Sequence, residues 1–303
     1  MNSRPGGSEI AQLCTRCIDL GYGDARPAAT QRPPGSWPAP GPVRRTHAHR
    51  KRLKLSLAAV AGAATLVVAF PASALAEPPQ ALAENASEQE KTFEPAYDYD
   101  KDGCYATPAI GPDGTLAEGL DLGGDVNGNC RDESDLDNTN VYSREKCNNG
   151  WCGIVYASYF EKDQVSAGGG SAGHRHDWEH IVVWVKDGTA EYVATSAHGG
   201  FTVHKPSDLP WDGTHPKVVY HKDGASTHAF RAAKNDGGDE PPENHKGTWQ
   251  RPAVVGWDGY PEGLRDTLTG ADFGDATLGI RDDTFADHLA DAKPDDIPFD
   301  PAA

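Results

Sequence analysis

Residues 173–185 read Gly-His-Arg-His-Asp-Trp-Glu-His-Ile-Val-Val-Trp-Val, a group of ionisable side chains that passes directly into an apolar strand. Side chains of an extended strand alternate between two faces, so Asp177 and Glu179 share one face, about 7 Å apart. The opposite face carries Trp178, Val182 and Trp184, which are expected in the core. Two carboxylates held this close beside a core repel one another unless a cation lies between them. The pattern therefore predicts a metal site.

Two further side chains are expected in the same site. Asp163 ends the preceding apolar strand, and a hairpin through Gly168-Gly169-Gly170 returns it beside the ionisable group. His174 precedes the regular part of the strand, so alternation does not exclude it from the same cavity. The predicted ligands are Asp163, His174, Asp177 and Glu179. Three carboxylates and one imidazole suit Ca²⁺ or Mg²⁺ better than Zn²⁺, which prefers histidine and thiolate ligands.

Arg175, His176 and His198 are further candidates for the lining of this cavity. Each also has a structural interpretation. In that interpretation, Arg175 is the partner in a salt bridge, and His176 caps a turn and hydrogen-bonds the backbone of the core. His198, which precedes two glycines, is a histidine of a turn.

An alternative function follows from the two histidines of the group. His174-x-His176 with Asp177 or Glu179 would form a His₂-carboxylate centre, as in a metallohydrolase. The chain has no His-Glu-x-x-His motif, so its sequence gives no support for zincin chemistry.

Short apolar runs separated by Gly, Pro, Asp and Asn recur along residues 98–303. The predicted strands are Gly153–Phe160, Glu179–Val185, Tyr192–Ser196, Lys217–His221, Thr227–Ala232 and Ala253–Trp257. Helices are expected at Tyr260–Leu268 and Thr284–Ala292. This rhythm predicts one β-rich domain with a β-sandwich and few, short helices.

The loop at residues 111–140 is rich in Asp and Gly. Its Asp125-x-Asn127-x-Asn129 run imitates the start of a calcium loop, but the expected Gly and the closing Glu are absent. Either a second cation site or a solvated acidic loop is consistent with this composition, and we favour the solvated loop.

A secretory signal peptide is predicted at residues 43–76. The segment has basic residues 50–54, an apolar stretch from Leu55 to Phe70 and an Ala74-Leu75-Ala76 cleavage signal. A transmembrane anchor is the rival, but about sixteen apolar residues are short for a bilayer. Residues 1–42, with Cys14 and Cys17, are interpreted as a mis-assigned or disordered upstream segment, and residues 77–97 as a linker.

The net charge of the chain is −17, and removal of the Arg-rich leader makes the product more acidic still. Such a protein repels phosphate backbones, so we expect no nucleic-acid partner. Docking to a membrane would then require a bound cation or a neutral sugar.

Four cysteines remain after residue 76: Cys104, Cys130, Cys147 and Cys152. An even number in an exported chain predicts two disulfides, for which three connectivities exist. Cys147 and Cys152 enclose only a four-residue turn sequence and can meet locally. Cys104 and Cys130 would then close the Gly- and Asp-rich loop.

The Gly-His-Arg-His-Asp-Trp-Glu heptapeptide at residues 173–179 resembles the signature of the necrosis- and ethylene-inducing-peptide-like proteins. The strand at residues 154–164 and the blocks at 196–201, 213–218 and 254–261 are similar to other parts of that family, so the resemblance covers about residues 98–292.

The resemblance implies a fold similar to actinoporins and fungal lectins, with a bridge near the N-terminal loop of the domain. It implies a divalent cation on Asp163, His174, Asp177 and Glu179. It further implies a secreted, non-enzymatic cytolysin that binds glycosylated sphingolipid headgroups of plant membranes. We expect a monomer, and a non-toxic, metal-dependent sugar-binding protein is a further alternative.

Overall fold

The computed structural model describes residues 77–168, 172–235 and 240–303, and these residues form two β-sheets and three short helices. The strands are β1 (Ala96–Tyr99), β2 (Asn140–Asn148), β3 (Trp151–Gln164), β4 (Gly173–Lys186), β5 (Thr189–Ala197), β6 (Gly200–His204), β7 (Trp211–Asp212), β8 (His215–Lys222), β9 (His228–Ala232) and β10 (Ala253–Gly256). The helices are α1 (Glu88–Thr92), α2 (Leu264–Thr269) and α3 (Phe285–Ala292). The larger sheet has the order β10-β2-β3-β4-β5-β6, and in the smaller sheet β8 pairs with β1, β7 and β9.

The core between the two sheets is built by alternate residues of the long central strands. Phe160 of β3 stacks on Tyr220 of β8 with ring centroids 3.7 Å apart, and Phe230 of β9 packs beside both rings. This core contacts one face of the larger sheet.

The other face of the larger sheet is covered by α2, α3 and the C-terminal residues. Trp178 and Trp184 of β4 lie on this face, as the alternation predicted, and pack in one cluster with Phe285 and Leu289 of α3. The β-rich sandwich with a few short helices is confirmed.

All six predicted strands are strands in the structure, and both predicted helices are present in shortened form. The prediction missed β1, β2, β6, β7 and α1. The β2 sequence, Asn-Val-Tyr-Ser-Arg-Glu-Lys-Cys-Asn, is polar over most of its length, so composition gave no strand signal.

The prediction of a linker at residues 77–97 is wrong. Leu82 is buried, and its backbone N–H and C=O are both bound by the side chain of Asn140 at 2.8 and 3.0 Å. Ser87 begins α1 with a capping box, in which the Glu90 N–H donates to Ser87 Oγ and the Ser87 N–H to the Glu90 carboxylate. Pro- and Glu-rich composition indicated flexibility, but specific side-chain contacts hold this segment on the domain.

Two disulfides are present, Cys104–Cys130 and Cys147–Cys152, which confirms the expected pairing. Cys147–Cys152 closes the β2–β3 turn, and this turn holds the C-terminal residues. Asn148 exchanges two hydrogen bonds with the backbone of Asp300, at 2.8 and 2.9 Å.

The upstream segment 1–42, the predicted signal peptide 43–76 and Cys14 and Cys17 lie outside the described residues. In the described part of the chain, no helix is long and apolar enough to cross a membrane.

Candidate metal and ligand site

The β3–β4 hairpin brings Asp163 and His174 together as direct cross-strand neighbours, and Gln164 lies opposite Gly173. Gly173 has a φ of +134°, and a Cβ atom there would lie 2.1 Å from the Asp163 carbonyl oxygen. The strands therefore approach closely at this point only because residue 173 has no side chain.

A backbone irregularity places His174 and Asp177 in the same cavity. The two residues are three positions apart, so a regular strand would turn them to opposite faces. His176, between them, has a φ of +61°. This left-handed conformation interrupts the alternation of side chains. Contrary to expectation, His174 does not precede the strand, because β4 already begins at Gly173. The conformation of His176 is therefore the reason why His174 reaches the cavity.

Asp163, His174 and Asp177 each offer one ligand atom, and these atoms lie within 4.8 Å of one another. His174 Nδ1 lies 2.6 Å from the carbonyl oxygen of His176, so Nδ1 carries the proton and donates. The lone pair of Nε2 is then available to a metal, an orientation that backbone carbonyls commonly impose on ligating histidines.

Asp163 is held by a histidine of the other sheet. Its carboxylate accepts the backbone N–H of His228 at 2.9 and 3.0 Å, and Oδ1 lies 2.7 Å from His228 Nδ1. The second ring nitrogen, Nε2, contacts the Asp102 carbonyl at 3.1 Å. His228 thereby fixes Asp163 with both its backbone and its ring.

Asp177 and Glu179 are buried carboxylates that lie close enough to interact. Burial, and then the charge of Asp163, raise the pKa of Asp177 well above its usual range. Burial, and then the charge of Asp177, do the same to the pKa of Glu179. Tyr220 donates to Asp177 at 3.0 Å, and Ser196 donates to Glu179. Groups with this mutual repulsion favour a bound cation, so the donor set fits a hard divalent ion.

These side chains open into a cavity of about 390 Å³. It lies where β4 and β5 stop pairing, beyond Ile181 and Thr195, with α3 forming the opposite wall. The lining includes five carboxylates, Asp163, Asp177, Glu179, Asp275 and Asp291. Among the described residues, no Lys or Arg lines it. The cavity therefore favours cations and neutral polar ligands over anions.

The structure brings the four predicted ligands to one cavity, but Glu179 is outside the group of three with close ligand atoms. His198 also lines the cavity, and its Nε2 contacts Asp223 at 2.9 Å. Arg175 and His176 do not line it, and Arg175 instead forms a salt bridge, with Asp121, as its structural interpretation predicted.

Arg175 instead contacts the loop at residues 111–140, and His176 contacts Tyr159 of the core. Arg175 pairs with Asp121 and donates to the Glu118 carbonyl. His176 Nδ1 contacts the Tyr159 hydroxyl at 2.7 Å, and burial lowers its pKa. The His174-x-His176 catalytic centre is therefore not assembled, because the two rings face different surroundings.

Sequence reasoning missed His228, Tyr220, Ser196 and His288, which contact or line the site from β9, β8, β5 and α3. No local motif marks them. His228 lies in the predicted strand Thr227–Ala232, but its pairing with Asp163 depends on how the two sheets face one another.

The calcium-like run in the loop at residues 111–140 contacts a buried lysine of β3 through its first residue, Asp125. Lys162 is 1% exposed, and its Nζ donates to the Asp125 carbonyl at 3.1 Å and contacts Gln164 Oε1 at 3.4 Å. Gln164 in turn binds the backbone of Gly123 and Gly124. An ammonium group thus lies beside the Asp125 carbonyl of the run for which a second cation was considered.

We expect His228→Ala to weaken divalent-cation binding about 10- to 100-fold, as the loss of an outer-shell partner typically does. The ring that orients the Asp163 carboxylate is lost, while the backbone N–H remains. Calorimetric titration with Ca²⁺ and Mg²⁺ measures the change. His221→Ala, a partly buried histidine on β8, is the matched control. Equal affinities in the two variants would contradict this role.

Comparison with known proteins accounts for the sequence pattern. The profile of the family described as "Necrosis inducing protein (NPP1)" matches residues 87–292. The chain belongs to this family. NLP effector protein 10 of Phytophthora capsici is 33% identical over 196 residues, which cover 63% of this chain and 76% of that protein.

Solved structures of this necrosis-inducing family share the fold. NLPPya in complex with mannosamine matches with a TM-score of 0.58 at 28% identity, covering 70% of this chain and 96% of that one. The non-toxic HaNLP3 protein matches with a TM-score of 0.59 at 27% identity, covering 72% of this chain and 99% of that one. The sequence resemblance is therefore confirmed, and it begins upstream of the expected residue 98.

Proposed function

We propose that this protein is a secreted, divalent-cation-dependent cytolysin that binds the sugar headgroups of plant glycosylated sphingolipids. The observation that carries the proposal is the cluster of Asp163, His174 and Asp177 at the base of an acidic cavity. These residues would hold Ca²⁺ or Mg²⁺, with Glu179 close by. A bound cation supplies coordination sites for sugar hydroxyls.

The charge of the protein supports recognition through a cation. The chain carries −17, and the cavity adds several carboxylates to an already acidic surface. An anionic headgroup would be repelled by this surface unless a cation bridged the two. Neutral sugar hydroxyls could then meet the cation together with the cavity residues Ser196, Thr227 and Thr277.

The sugar as ligand is supported by one relative, NLPPya, which has been solved in complex with mannosamine and with glucosamine. Secretion is supported by the predicted leader and by the two disulfides, which are typical of exported proteins. In this role the protein binds its ligand without turnover.

The alternative of a non-toxic sugar-binding protein has a specific observation in its favour. A non-toxic relative has the same fold at a similar level of identity to this chain. The fold alone therefore does not decide between binding and lysis, and the experiment must measure them separately.

We expect the protein to release dye from vesicles that contain plant glycosylated sphingolipid, and EDTA to abolish both binding and release. Vesicles of phosphatidylcholine alone are the control. Co-sedimentation measures binding, fluorescence measures leakage, and mass spectrometry follows the lipid. Chelator-sensitive binding without leakage would identify the non-toxic alternative. Metal-dependent accumulation of cleaved lipid would instead support the metallohydrolase, and binding that resists EDTA would contradict cation bridging.

A further inference from the structure

A second cavity, of about 700 Å³, lies beside the end of α1 and shares no lining residue with the metal cavity. Its lining includes two carboxylates, two cationic side chains and a histidine: Glu84, Glu94, Lys91, Arg251 and His215. Thr214, in the turn between β7 and β8, also lines it and donates to the carbonyl of Thr92, the last residue of α1. The packed segment at residues 77–97 thus forms one wall of this cavity.

Glu94 is the buried carboxylate of this lining, and one of its oxygen atoms is unused. The residue is 5% exposed, and its buried Oε1 has no hydrogen-bond partner among the described residues. Burial, and then the charge of Glu84, raise the pKa of Glu94 to about 9. Burial of a carboxyl oxygen without a partner is unfavourable unless a donor reaches it from outside the chain. Glu94 therefore offers an acceptor to a ligand of the cavity.

Arg251 is held on the cavity wall by a histidine. His215 Nδ1 lies 2.7 Å from the Glu94 carbonyl oxygen, and His215 Nε2 lies 2.9 Å from Arg251 Nη1. A guanidinium group only donates, so Nε2 accepts, Nδ1 carries the proton and the imidazole is neutral. Lys91 pairs with Glu88, but the salt bridges of the described residues do not include Arg251. Arg251 is therefore a fixed cation with further N–H donors for a ligand.

The mixed charges of the lining disfavour a ligand of a single charge. A metal ion needs converging ligand atoms, and among the described residues the one group of three such atoms lies in the metal cavity. A lone anion would be repelled by Glu84 and Glu94, and a lone cation by Arg251 and Lys91. A ligand that has both a cationic donor and an anionic acceptor avoids both repulsions.

We propose that this second cavity binds a small zwitterion of the α-amino-acid class, with its ammonium group on Glu94 and its carboxylate on Arg251. A guanidinium group presents a planar pair of donors that matches a carboxylate, and a carboxylate accepts charge-assisted hydrogen bonds from an ammonium group. Glu84 adds negative charge on the ammonium side, since its charge acts on Glu94. The inference does not rest on cation or sugar binding in the metal cavity.

Calorimetric titration of the secreted protein with L-alanine at pH 7 tests the proposal. EDTA in the buffer removes cations from the metal cavity, so that L-alanine cannot bind there through a metal. Acetate, which has only the anionic group, and methylammonium, which has only the cationic group, are titrated in parallel. We expect each to bind about 10- to 100-fold more weakly than L-alanine, because each lacks one charged hydrogen-bonding group.

Glu94→Gln and Arg251→Gln should each weaken L-alanine binding by a similar factor, about 10- to 100-fold. Glutamine has the shape of a protonated glutamate side chain, and Arg251 is exposed, so both variants should keep the Tm of the unsubstituted protein. Arg281→Gln is the matched control, because Arg281 pairs with Asp283 and does not line the cavity. It should leave the affinity unchanged.

Binding should also release a proton. Glu94 is largely protonated in the free protein at pH 7, so its ionisation beside the ammonium group should release about one proton. Calorimetry in two buffers of different ionisation enthalpy counts it.

Absence of L-alanine binding would mean that water alone satisfies Glu94, and equal affinity for acetate or methylammonium would indicate a site for a single charge. Either result, an equal loss of affinity in Arg281→Gln, or binding without proton release would overturn the proposal. Vesicle binding is measured separately, so failure here leaves the sugar-binding proposal unaffected.

Discussion

Asp177→Asn is expected to abolish divalent-cation binding, and with it vesicle leakage, while making the cation-free protein more stable at neutral pH. Asparagine keeps the shape of the side chain but has no negative charge. Removal of an outer-shell partner lowers metal affinity about 10- to 100-fold, and the loss of affinity in Asp177→Asn should be larger.

The gain in stability follows from the sign of the pKa shift. Burial and Asp163 raise the pKa of Asp177 in the folded protein, so the folded state binds a proton more tightly than the unfolded state. The free energy of unfolding therefore falls as the pH rises above the usual carboxyl range. The Asp177→Asn variant would lack this contribution to the pH dependence, because an amide does not ionise.

Calorimetric titration with Ca²⁺ and Mg²⁺ measures binding, and thermal unfolding in EDTA between pH 5 and pH 8 measures stability. Asp212→Asn makes the same change at an exposed position on β7 and should affect neither. Unchanged cation affinity in Asp177→Asn would refute the proposed site.

Gly173→Ala adds one methyl group, and we expect it to destabilise the protein more than a methyl group added at any other glycine of the hairpin. The added Cβ would lie 2.1 Å from the Asp163 carbonyl oxygen, and the φ of +134° is itself unfavourable for alanine. The backbone must move apart at the position that sets Asp163 opposite His174. We expect a loss of stability of several kcal/mol and a large loss of cation affinity.

Gly168→Ala is the matched control for this change. Gly168 also has a positive φ, +99°, but an added Cβ meets nothing within 4 Å. It should show a modest backbone effect alone. Thermal unfolding of both variants, with calorimetry on whichever remains folded, gives the comparison. If the two variants lost the same stability, the close approach of the strands would not be the reason why residue 173 must be glycine.

Four of the six strands of the larger sheet, β3, β4, β5 and β10, could be predicted because they carry their signal locally, whereas β2 and β6 were missed. Residues 181–185 form a continuous apolar run, which is typical of a strand buried on both faces, and the Gly-rich turn predicts the hairpin that pairs Asp163 with His174. The cavity composition was partly predictable for the same reason, since Asp163, His174, Asp177 and Glu179 lie on one hairpin.

The remainder depends on contacts distant in sequence or on backbone conformation. The positive φ of His176 cannot be read from its residue type, and it decides that His174 joins Asp177 while the His176 ring joins Tyr159. The role of His228 depends on the docking of β9 against β3, a contact between residues 65 positions apart. The packed segment at residues 77–97 was missed because Asn138 and Asn140 lie far along the chain.

The lysine beside the calcium-like loop changes what a chelator can report. Lys162 supplies positive charge to the Asp125 carbonyl of the loop through a covalently attached side chain, which no chelator can extract. The loop therefore has an electrostatic support that is independent of the calcium level of the surrounding fluid. Within the described part of the chain, we therefore expect an EDTA titration to report the occupancy of the proposed site at Asp163, His174 and Asp177 and not a change in the neighbouring loop.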